Sequence, residues 1–394
     1  MRILVNHREV GYFYGGAENH IKELSKKLIE KGHYIIFLTE KGKKDPLEPI
    51  KKRPLSKAIY LPSFKLRRSN DFKQFSTNLS KKINKNFFIT KVLRVLSNIG
   101  WMAKSSFWIL INRDKFDVVW VSKYSDTLSL RLLNKFIKIP YIESLEGYDY
   151  IEAENAKNVK NVFAISKFIR DQCKKIHKFE PKVITIGIDQ KKFQNVDKQE
   201  VSKIRSQYKK NKNDKIILNV ARLVESKDLS SFIKASSKVS KKFKDVKFLI
   251  CGDGEERQKL NNLIKELNLN KKVFILNVFG DDLIKYYAAS DIFVHVPKQG
   301  NHFGVVYIEA MAAGLPIIAS SMDASPKTVG NCAILVNPGD INSLTKAIEL
   351  LIKNKNSRNK LSKNSLKRVK RFFNWNKISK EAELFFSEAS SIQD

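Results

Sequence analysis

The sequence is poor in cysteine. Only Cys173, Cys251 and Cys332 occur in 394 residues, and no two of them form a CxxC pair. Their wide spacing and odd number argue against a disulfide framework and against a zinc site. We expect them to be small buried hydrophobes in a chain suited to the reducing cytoplasm.

Long apolar runs are also missing. A membrane-spanning helix needs roughly 18 uninterrupted apolar residues, and the nearest approach, residues 99–112, contains Lys104 and two serines. The first residues, MRILVNHREV, have no apolar core of the kind found in signal peptides and look like a short buried strand. We expect a protein that is neither exported nor membrane-spanning.

Acidic residues are scarce beside basic ones. The chain has 40 Asp and Glu against 74 Lys and Arg, a net charge of +34. Such a charge repels itself and favours a polyanionic partner, although lysine outnumbers arginine 59 to 15, so part of the excess reflects composition. The sequence contains no helix-turn-helix, RNP or zinc motif. Nucleic-acid binding therefore ranks last among the candidate functions, and we expect no nucleic-acid partner.

What is present is a pattern of alternating strands and helices in two stretches. Short apolar runs followed by amphipathic helices are typical of parallel sheets built from βαβ units. The first stretch has a helix over residues 17–31, closed by Gly32, and the second begins near Lys215. The predicted strands of the first stretch are residues 2–6, 33–39, 117–121, 140–144 and 162–165. Two doubly wound α/β domains are therefore predicted.

Two further segments complete this organisation. Residues 189–213 are polar and lysine-rich, which favours a connection between the halves. Residues 368–389 have apolar positions at helical spacing and predict a final helix with one buried face.

The most informative motif lies at residues 297–320 and reads as a loop, a helix and a strand. Gly304 allows close approach of the backbone to a ligand, and a helix beginning near Val305 directs free N–H groups and its positive dipole end outward. Glu309 lies one turn into that helix, where a carboxylate can accept two ribose hydroxyls. Gly314 is expected to cap the helix, and Pro316 prevents its continuation.

These residues resemble family 4 of the retaining glycosyltransferases, whose signature is two glutamates separated by seven residues around a GFG or HFG turn. The resemblance implies the GT-B fold, with two doubly wound Rossmann-like domains facing across a cleft. It places an acceptor-side domain at residues 1–190, a nucleotide-sugar-binding domain at 191–370 and a C-terminal helix, packed back on the first domain, at 371–394.

The resemblance also assigns roles within the motif. Glu309 binds the nucleotide ribose, and Phe303, Gly304 and Val305 offer backbone contacts to the donor sugar and diphosphate. The first glutamate of the signature is replaced by Asn301, which is expected to contact the sugar hydroxyls. The amide exchanges a charged hydrogen bond of about 1.5–3 kcal/mol for a neutral one of about 0.5–1.5 kcal/mol. The neighbouring His302 is either a compensating donor ligand or a polar surface group.

A leaving diphosphate gains charge, which either a metal or protein cations must neutralise. Asp253 and Glu255 are the nearest candidate metal ligands and have no third ligand close in sequence, so we expect neither a metal nor a cofactor. Arg222 and Lys227, just after a predicted strand, match the family pattern strand–R–L–x–x–x–K. By that resemblance they bind the diphosphate, whereas without it they read as two solvated surface cations.

In the first half, GGAENH opens a helix and matches the family's GG-x-E turn. Gly15 and Gly16 let backbone amides approach the acceptor or the diphosphate. Where many relatives have histidines, this chain has Trp120, Ser122 and Glu146. Glu146 is either the base that polarises an acceptor hydroxyl or a solvated loop carboxylate.

Residues 64–113 are basic and aromatic. They contain eleven Lys or Arg against a single acid, Asp71, with eight interleaved aromatics. Such a segment can bind an anionic membrane surface, at roughly 1 kcal/mol per cation. It can equally be an ordinary helical layer with solvated lysines.

The leading hypothesis is a retaining, metal-independent transferase that moves a sugar from a UDP- or GDP-linked donor to a lipid-linked or polysaccharide acceptor. It would act in cell-surface glycan synthesis, in the cytoplasm, peripherally on the cytosolic membrane face. The alternative is a catalytically impaired GT-B-like binding or scaffold subunit, as Asn301, Ser122 and Glu146 suggest.

Overall fold

A computed structural model describes residues 1–10, 16–40, 47, 50, 53–62, 86–208, 211, 214–300 and 302–391. The chain forms two compact units. Unit 1 comprises Met1–Ile165, Arg170–Ile184 and Ser379–Asp394, and unit 2 comprises Ser166–Ile169 and Thr185–Ile378.

Unit 1 is built on a parallel sheet of seven strands in the order β3-β2-β1-β4-β5-β6-β7. The chain fills one side of β1 first and then crosses to β4 on the other, so the topological switch point lies between β1 and β4. The strands are β1 (Arg2–Asn6), β2 (Tyr34–Glu40), β3 (Ser56–Leu61), β4 (Val118–Val121), β5 (Tyr141–Leu145), β6 (Val162–Ala164) and β7 (Lys182–Val183).

Helices follow most of these strands. The first five are α1 (Gly16–Glu30), α2 (Asn86–Ile111), α3 (Tyr124–Leu133), α4 (Tyr150–Ala156) and α5 (Lys167–Gln172), and a π-helical turn, Cys173–His177, follows α5. The α1 helix ends at Gly32, whose φ of 90° is the left-handed conformation expected of that cap.

Unit 2 repeats the design with six parallel strands in the order β10-β9-β8-β11-β12-β13. Its switch point lies between β8 and β11. The strands are β8 (Lys215–Val220), β9 (Val246–Cys251), β10 (Val273–Leu276), β11 (Ile292–His295), β12 (Ile317–Ser320) and β13 (Ala333–Val336). The helices are α6 (Gln190–Gln194), α7 (Lys198–Tyr208), α8 (Leu229–Lys242), α9 (Arg257–Glu266), α10 (Asp281–Ala289), α11 (Val305–Ala312), α12 (Ser325–Val329), α13 (Ile341–Lys353) and α14 (Lys355–Phe372). A further helix, α15 (Trp375–Ser390), begins in unit 2, and its residues from Ser379 onward belong to unit 1.

Each sheet is buried by its helices. In unit 2 the apolar faces of β8 and β9 pack with α8 and α13, through side chains such as Phe232 and Ile348. In unit 1 one sheet face packs with α2, while the other holds Trp120, whose ring meets Phe386 of α15 edge-on at 5.4 Å. The three cysteines are free and buried, as expected. The predicted α/β class, two doubly wound parallel sheets, is confirmed.

Four segments differ from the pattern read in the sequence. Strands β3 and β7 were not predicted, because β3 is a half-exposed edge strand and β7 has only two residues. The polar segment 189–213 carries the helices α6 and α7. The C-terminal stretch divides at Phe373, where φ of −119° and ψ of 29° end α14 before α15 begins.

None of the helices in the described part of the chain is both long and apolar enough to span a bilayer. The basic segment over residues 64–113 lies partly outside the described residues, and its described portion begins with α2.

Candidate functional site

The loop after β8 carries the two predicted cations of unit 2. Its backbone is held against the end of β9, because the Leu223 N–H donates to the Asp253 carbonyl at 2.9 Å. Glycine is required opposite this loop: a Cβ on Gly252 would lie 1.9 Å from the Ala221 carbonyl oxygen, and the φ of Gly252 is 150°. Arg222 is thus projected from a rigid turn at the carboxyl edge of the sheet.

Arg222 and Lys227 lie close enough to interact. Burial lowers the pKa of Lys227, the positive charge of Arg222 lowers it further, and Asp323 opposes the shift. Neither cation forms an ion pair within the described part of the chain. Two neighbouring cations without a paired carboxylate create a positive potential that favours an anion.

The positive charge of Lys227 also affects His295, at the end of β11. Burial lowers the pKa of His295 to about 3, and the charge of Lys227 acts in the same direction, so the imidazole is neutral. The β8 loop is joined to the segment after β11 by a hydrogen bond from the Lys298 N–H to the Ser226 carbonyl at 2.9 Å. The two loops therefore flank the switch point of unit 2.

The turn before α11 has the geometry that a ligand-binding loop needs. Gly304 precedes the helix with φ of 83°, a conformation that other residues adopt only with strain. The α11 helix begins at Val305, as predicted, and Gly314 follows its end with φ of 73°. Asn301 lies outside the described residues.

Side chains of other elements fix the backbone of this turn. The Ser166 hydroxyl donates to the carbonyl of His302 at 2.7 Å, and the Thr328 hydroxyl donates to the carbonyl of Phe303 at 2.6 Å. The His302 ring stacks on Phe168 at 6.3 Å with an interplanar angle of 8°. The turn is thereby preorganised, with His302 held by an aromatic contact.

Glu309 is oriented by a residue that the sequence did not reveal. The Tyr287 hydroxyl of α10 donates to Glu309 Oε2 at 2.8 Å. Burial raises the pKa of Glu309, while this hydrogen bond lowers it. Tyr287 is completely buried, with Phe193 edge-on at 5.9 Å, so it is a fixed donor. One carboxylate oxygen is held in place while the other can accept from a ligand.

In unit 1, Gly16 opens α1, and Gly15 lies outside the described residues. Glu146 directly follows β5, and its side chain is only 7 % exposed because it pairs with His20 of α1. The solvated-carboxylate interpretation of Glu146 is therefore wrong. The sequence offered one signal for this pair, since His20 belongs to the GGAENH motif.

His7 directly follows β1 in unit 1, is neutral and has a fixed tautomer. Burial is the main cause that lowers the pKa of His7 to about 3. The backbone N–H groups of Glu9 and Val10 both donate to Nδ1, each at 3.1 Å, so the proton resides on Nε2. Nε2 faces Glu18 Oε1 at 3.9 Å.

Within the described ranges, no group of three or more His, Cys, Asp or Glu side chains is arranged to hold a metal ion.

The similarities to known proteins begin with a protein family that matches part of unit 2. Residues 200–368 match the family model of the group 1 glycosyl transferases. An uncharacterised glycosyltransferase of Methanocaldococcus jannaschii is 26% identical over 295 residues, which cover 69% of this chain and 75% of that protein. The GDP-mannose-dependent monoacylated alpha-(1-6)-phosphatidylinositol monomannoside mannosyltransferase of Corynebacterium glutamicum is 32% identical over 173 residues, 42% of this chain and 45% of that protein.

Among solved structures, Anabaena HepE in complex with UDP-glucose has a TM-score of 0.77 at 17% identity, covering 98% of this chain and 100% of that chain. At this identity the likeness concerns the fold. These two parallel sheets have the topology of the GT-B fold. The chain is similar to the group 1 glycosyl transferases, whose family model matches residues 200–368.

Proposed function

We propose that the chain is a retaining glycosyltransferase of family 4 that takes a sugar from a nucleoside diphosphate donor without a metal ion. The observation that carries this proposal is the pair of neighbouring cations, Arg222 and Lys227, at the switch point of unit 2. Open α/β sheets bind ligands at the carboxyl ends of their strands at such a point.

The two cations suit the charge that develops as the glycosidic bond breaks. Arg222 can fork two phosphate oxygens, and Lys227 supplies a point charge whose partial burial strengthens its electrostatic effect. The bond from the anomeric carbon to the diphosphate oxygen breaks, and its electron pair leaves with the diphosphate. The oxygen of the acceptor hydroxyl bonds to the anomeric carbon on the same face, and its proton passes to the leaving diphosphate. Removing one such stabilising group typically lowers kcat by about 10²–10³-fold.

Glu309 and the HFG turn complete the proposed donor site. The Glu309 carboxylate, oriented by Tyr287, accepts the ribose hydroxyls, while the backbone of Phe303, Gly304 and Val305 contacts the diphosphate and the sugar. We assign His302 and Asn301 to the sugar end of the donor. Asn301→Glu restores the residue of the family signature and is expected to change the preferred donor sugar or kcat.

The donor and acceptor classes are inferred from relatives. Anabaena HepE is seen with UDP-glucose, and the relative from Corynebacterium glutamicum uses GDP-mannose and a phosphatidylinositol mannoside. We infer a UDP- or GDP-linked donor and a lipid-linked or polysaccharide acceptor in cell-surface glycan synthesis. On the acceptor side, we assign Gly15 and Glu146, whereas Gly16 is assigned to the donor.

The decisive experiment incubates the protein with a panel of UDP- and GDP-sugars, with and without EDTA, and measures thermal shift and nucleotide release. Binding and release that EDTA does not reduce support the proposal, and Glu309→Gln should weaken both. Binding without release in any acceptor mixture would favour the scaffold alternative. No response to any donor would refute the donor site itself.

An anionic membrane surface on the cytosolic side is the proposed location. Five apolar side chains of α2 are between 51 % and 64 % exposed: Val95, Leu96, Ile99, Phe107 and Ile111. At 3.6 residues per turn, the five positions fall within an arc of about 160° on one side of the helix. An exposed apolar row in a strongly basic chain matches an interfacial helix on acidic lipid.

Vesicle sedimentation tests this location. Phe107→Asp removes an anchor worth about 1.5–3 kcal/mol of apolar burial, so binding to phosphatidylglycerol vesicles should fall about tenfold or more. Phe136→Asp is the matched control, because Phe136 is 86 % exposed elsewhere in unit 1. Equal binding by both variants and the wild type would contradict the membrane assignment.

A further inference from the structure

The carboxylate of Glu146 is held by a buried imidazole from another element. His20 Nδ1 lies 3.0 Å from Glu146 Oε1 and 2.9 Å from Oε2. The His20 side chain is 0 % exposed. A carboxylate only accepts hydrogen bonds, so Nδ1 is the donor and both carboxylate oxygens accept its hydrogen bond. The pair has a defined orientation as well as a defined direction of hydrogen bonding.

His20 is itself immobilised by its surroundings. Its ring meets the Trp120 ring at 6.4 Å in an edge arrangement, and Trp120 Nε1 donates to the Ser144 hydroxyl at 2.9 Å. Trp120 is 1 % exposed. Glu146 is therefore anchored through His20 to the sheet rather than placed by a flexible loop.

A second polar group at the same sheet edge, the Ser122 hydroxyl, lacks a hydrogen-bond partner among the described residues. Ser122 directly follows β4, the strand beside β5, and its buried hydroxyl forms no hydrogen bond within the described part of the chain. Buried polar groups in native proteins are normally satisfied, so the unpartnered Ser122 hydroxyl is a candidate contact for a ligand. Ser122 and Glu146 lie at the carboxyl ends of adjacent strands, next to the switch point between β1 and β4.

We propose that His20 is a positioning residue that aims the Glu146 carboxylate at the reacting hydroxyl of the acceptor, with Ser122 as a second polar contact to that acceptor. This inference rests on the proposed glycosyl transfer and adds the acceptor-side constellation of unit 1. Glu146 accepts the hydrogen bond of the acceptor hydroxyl, and the His20 N–H restricts the carboxylate to one orientation.

Unit 1 contains a second histidine–glutamate pair that serves as a matched control. His33 Nε2 lies 2.9 Å from Glu383 Oε1, and the Lys31 ammonium contacts the same carboxylate at 2.8 Å. This pair joins the end of α1 to α15 and involves no unpartnered hydroxyl. His33→Ala therefore removes a similar interaction without touching the acceptor site.

A double-mutant cycle tests the coupling. Release of UDP from UDP-glucose and of GDP from GDP-mannose is measured for the wild type, His20→Ala, Glu146→Gln and the double variant, with water alone and with octyl glucoside as the acceptor probe. We expect at least 100-fold loss of turnover in Glu146→Gln and at least 10-fold loss in His20→Ala. In the Glu146→Gln background, His20→Ala should cost less than threefold, because contacts that act through each other are not additive. His33→Ala should retain turnover.

Two further measurements separate positioning from a merely structural role. His20→Asn keeps a donor near the place of Nδ1 and should recover at least threefold over His20→Ala. Donor-induced thermal shifts should be unchanged in all of these variants. Additive losses, no recovery in His20→Asn, or equal losses in His20→Ala and His33→Ala would overturn the inference while leaving donor binding intact. Absence of any donor response in the wild type would overturn the proposed function and this inference together.

Discussion

The buried carboxyl group of Glu143 gives a quantitative test of the energetics of unit 1. Glu143 lies on β5 with 0 % exposure. Burial raises its pKa from 4.5 to about 8, and the Thr127 hydroxyl opposes this shift while Glu152 and Asp126 add to it. Glu143→Gln keeps the size of the side chain and removes the charge.

The sign of the effect follows from the direction of the pKa shift. A carboxyl whose pKa is raised by folding contributes its full stability below pH 4.5 and loses it as the pH rises to about 8. At 1.36 kcal/mol per tenfold change in the dissociation constant, ionisation of Glu143 lowers the free energy of unfolding by about 5 kcal/mol. At pH 9 the variant should therefore be more stable by about 2–5 kcal/mol, and at pH 4 the two proteins should agree within about 1 kcal/mol.

Urea denaturation followed by tryptophan fluorescence measures this difference. Three of the four tryptophans, Trp101, Trp108 and Trp120, lie in unit 1, so the emission follows that unit. Part of the dependence of the free energy of unfolding on pH should persist in Glu143→Gln, because burial also raises the pKa of Asp126 to about 7.

Glu388→Gln is the control, since the side chain of Glu388 is 67 % exposed in the same unit. This substitution should leave the dependence of stability on pH unchanged. The reasoning is refuted if the free energy of unfolding of Glu143→Gln depends on pH as steeply as that of the wild type between pH 5 and 9. It is also refuted if the variant is less stable than the wild type at pH 9.

Three further predictions concern unit 2. Tyr287→Phe should raise the KM for the donor about 2–13-fold, because one hydrogen bond to Glu309 is worth about 0.5–1.5 kcal/mol; unchanged steady-state kinetics would contradict the orienting role. Lys227→Met should lower kcat about 100-fold, as removal of a group that stabilises the leaving diphosphate does, and a change in KM alone would show that the lysine binds without stabilising the transition state. Gly252→Ala should lower the free energy of unfolding by more than about 3 kcal/mol, because the clash of the new Cβ adds to backbone strain. Gly280 has φ of 63° and nothing within 4 Å of an added Cβ, so Gly280→Ala should cost only about 1–2 kcal/mol. Equal melting temperatures of the two variants would refute this difference.

Much of the fold could be predicted from local patterns. The strand Arg2–Asn6 and the helix that begins at Val305 appear in the structure where the sequence indicated them, because apolar periodicity and glycine caps act within a few residues. The pattern failed at β3, whose side chains are mostly half-exposed, so no apolar run marks it. It also failed at Phe373, where a break between two helices interrupts a continuous helical periodicity.

In the candidate site, too, local sequence patterns indicated some features and missed others. Sequence patterns indicated Arg222, Lys227 and Glu309, because these residues stand at fixed distances from recognisable strands and glycines. The sequence alone determined the α/β class and carried the resemblance to glycosyltransferases.

Only the tertiary structure decided which side chains hold those residues in place. Tyr287 is 22 residues from Glu309, and His20 is 126 residues from Glu146. Such pairs depend on the order in which strands lie in each sheet, which brings distant helices to the same edge, and local periodicity carries no record of that order. The sequence presented Glu146 as one acid among 40, and the fold made it a buried carboxylate with a fixed hydrogen-bond donor.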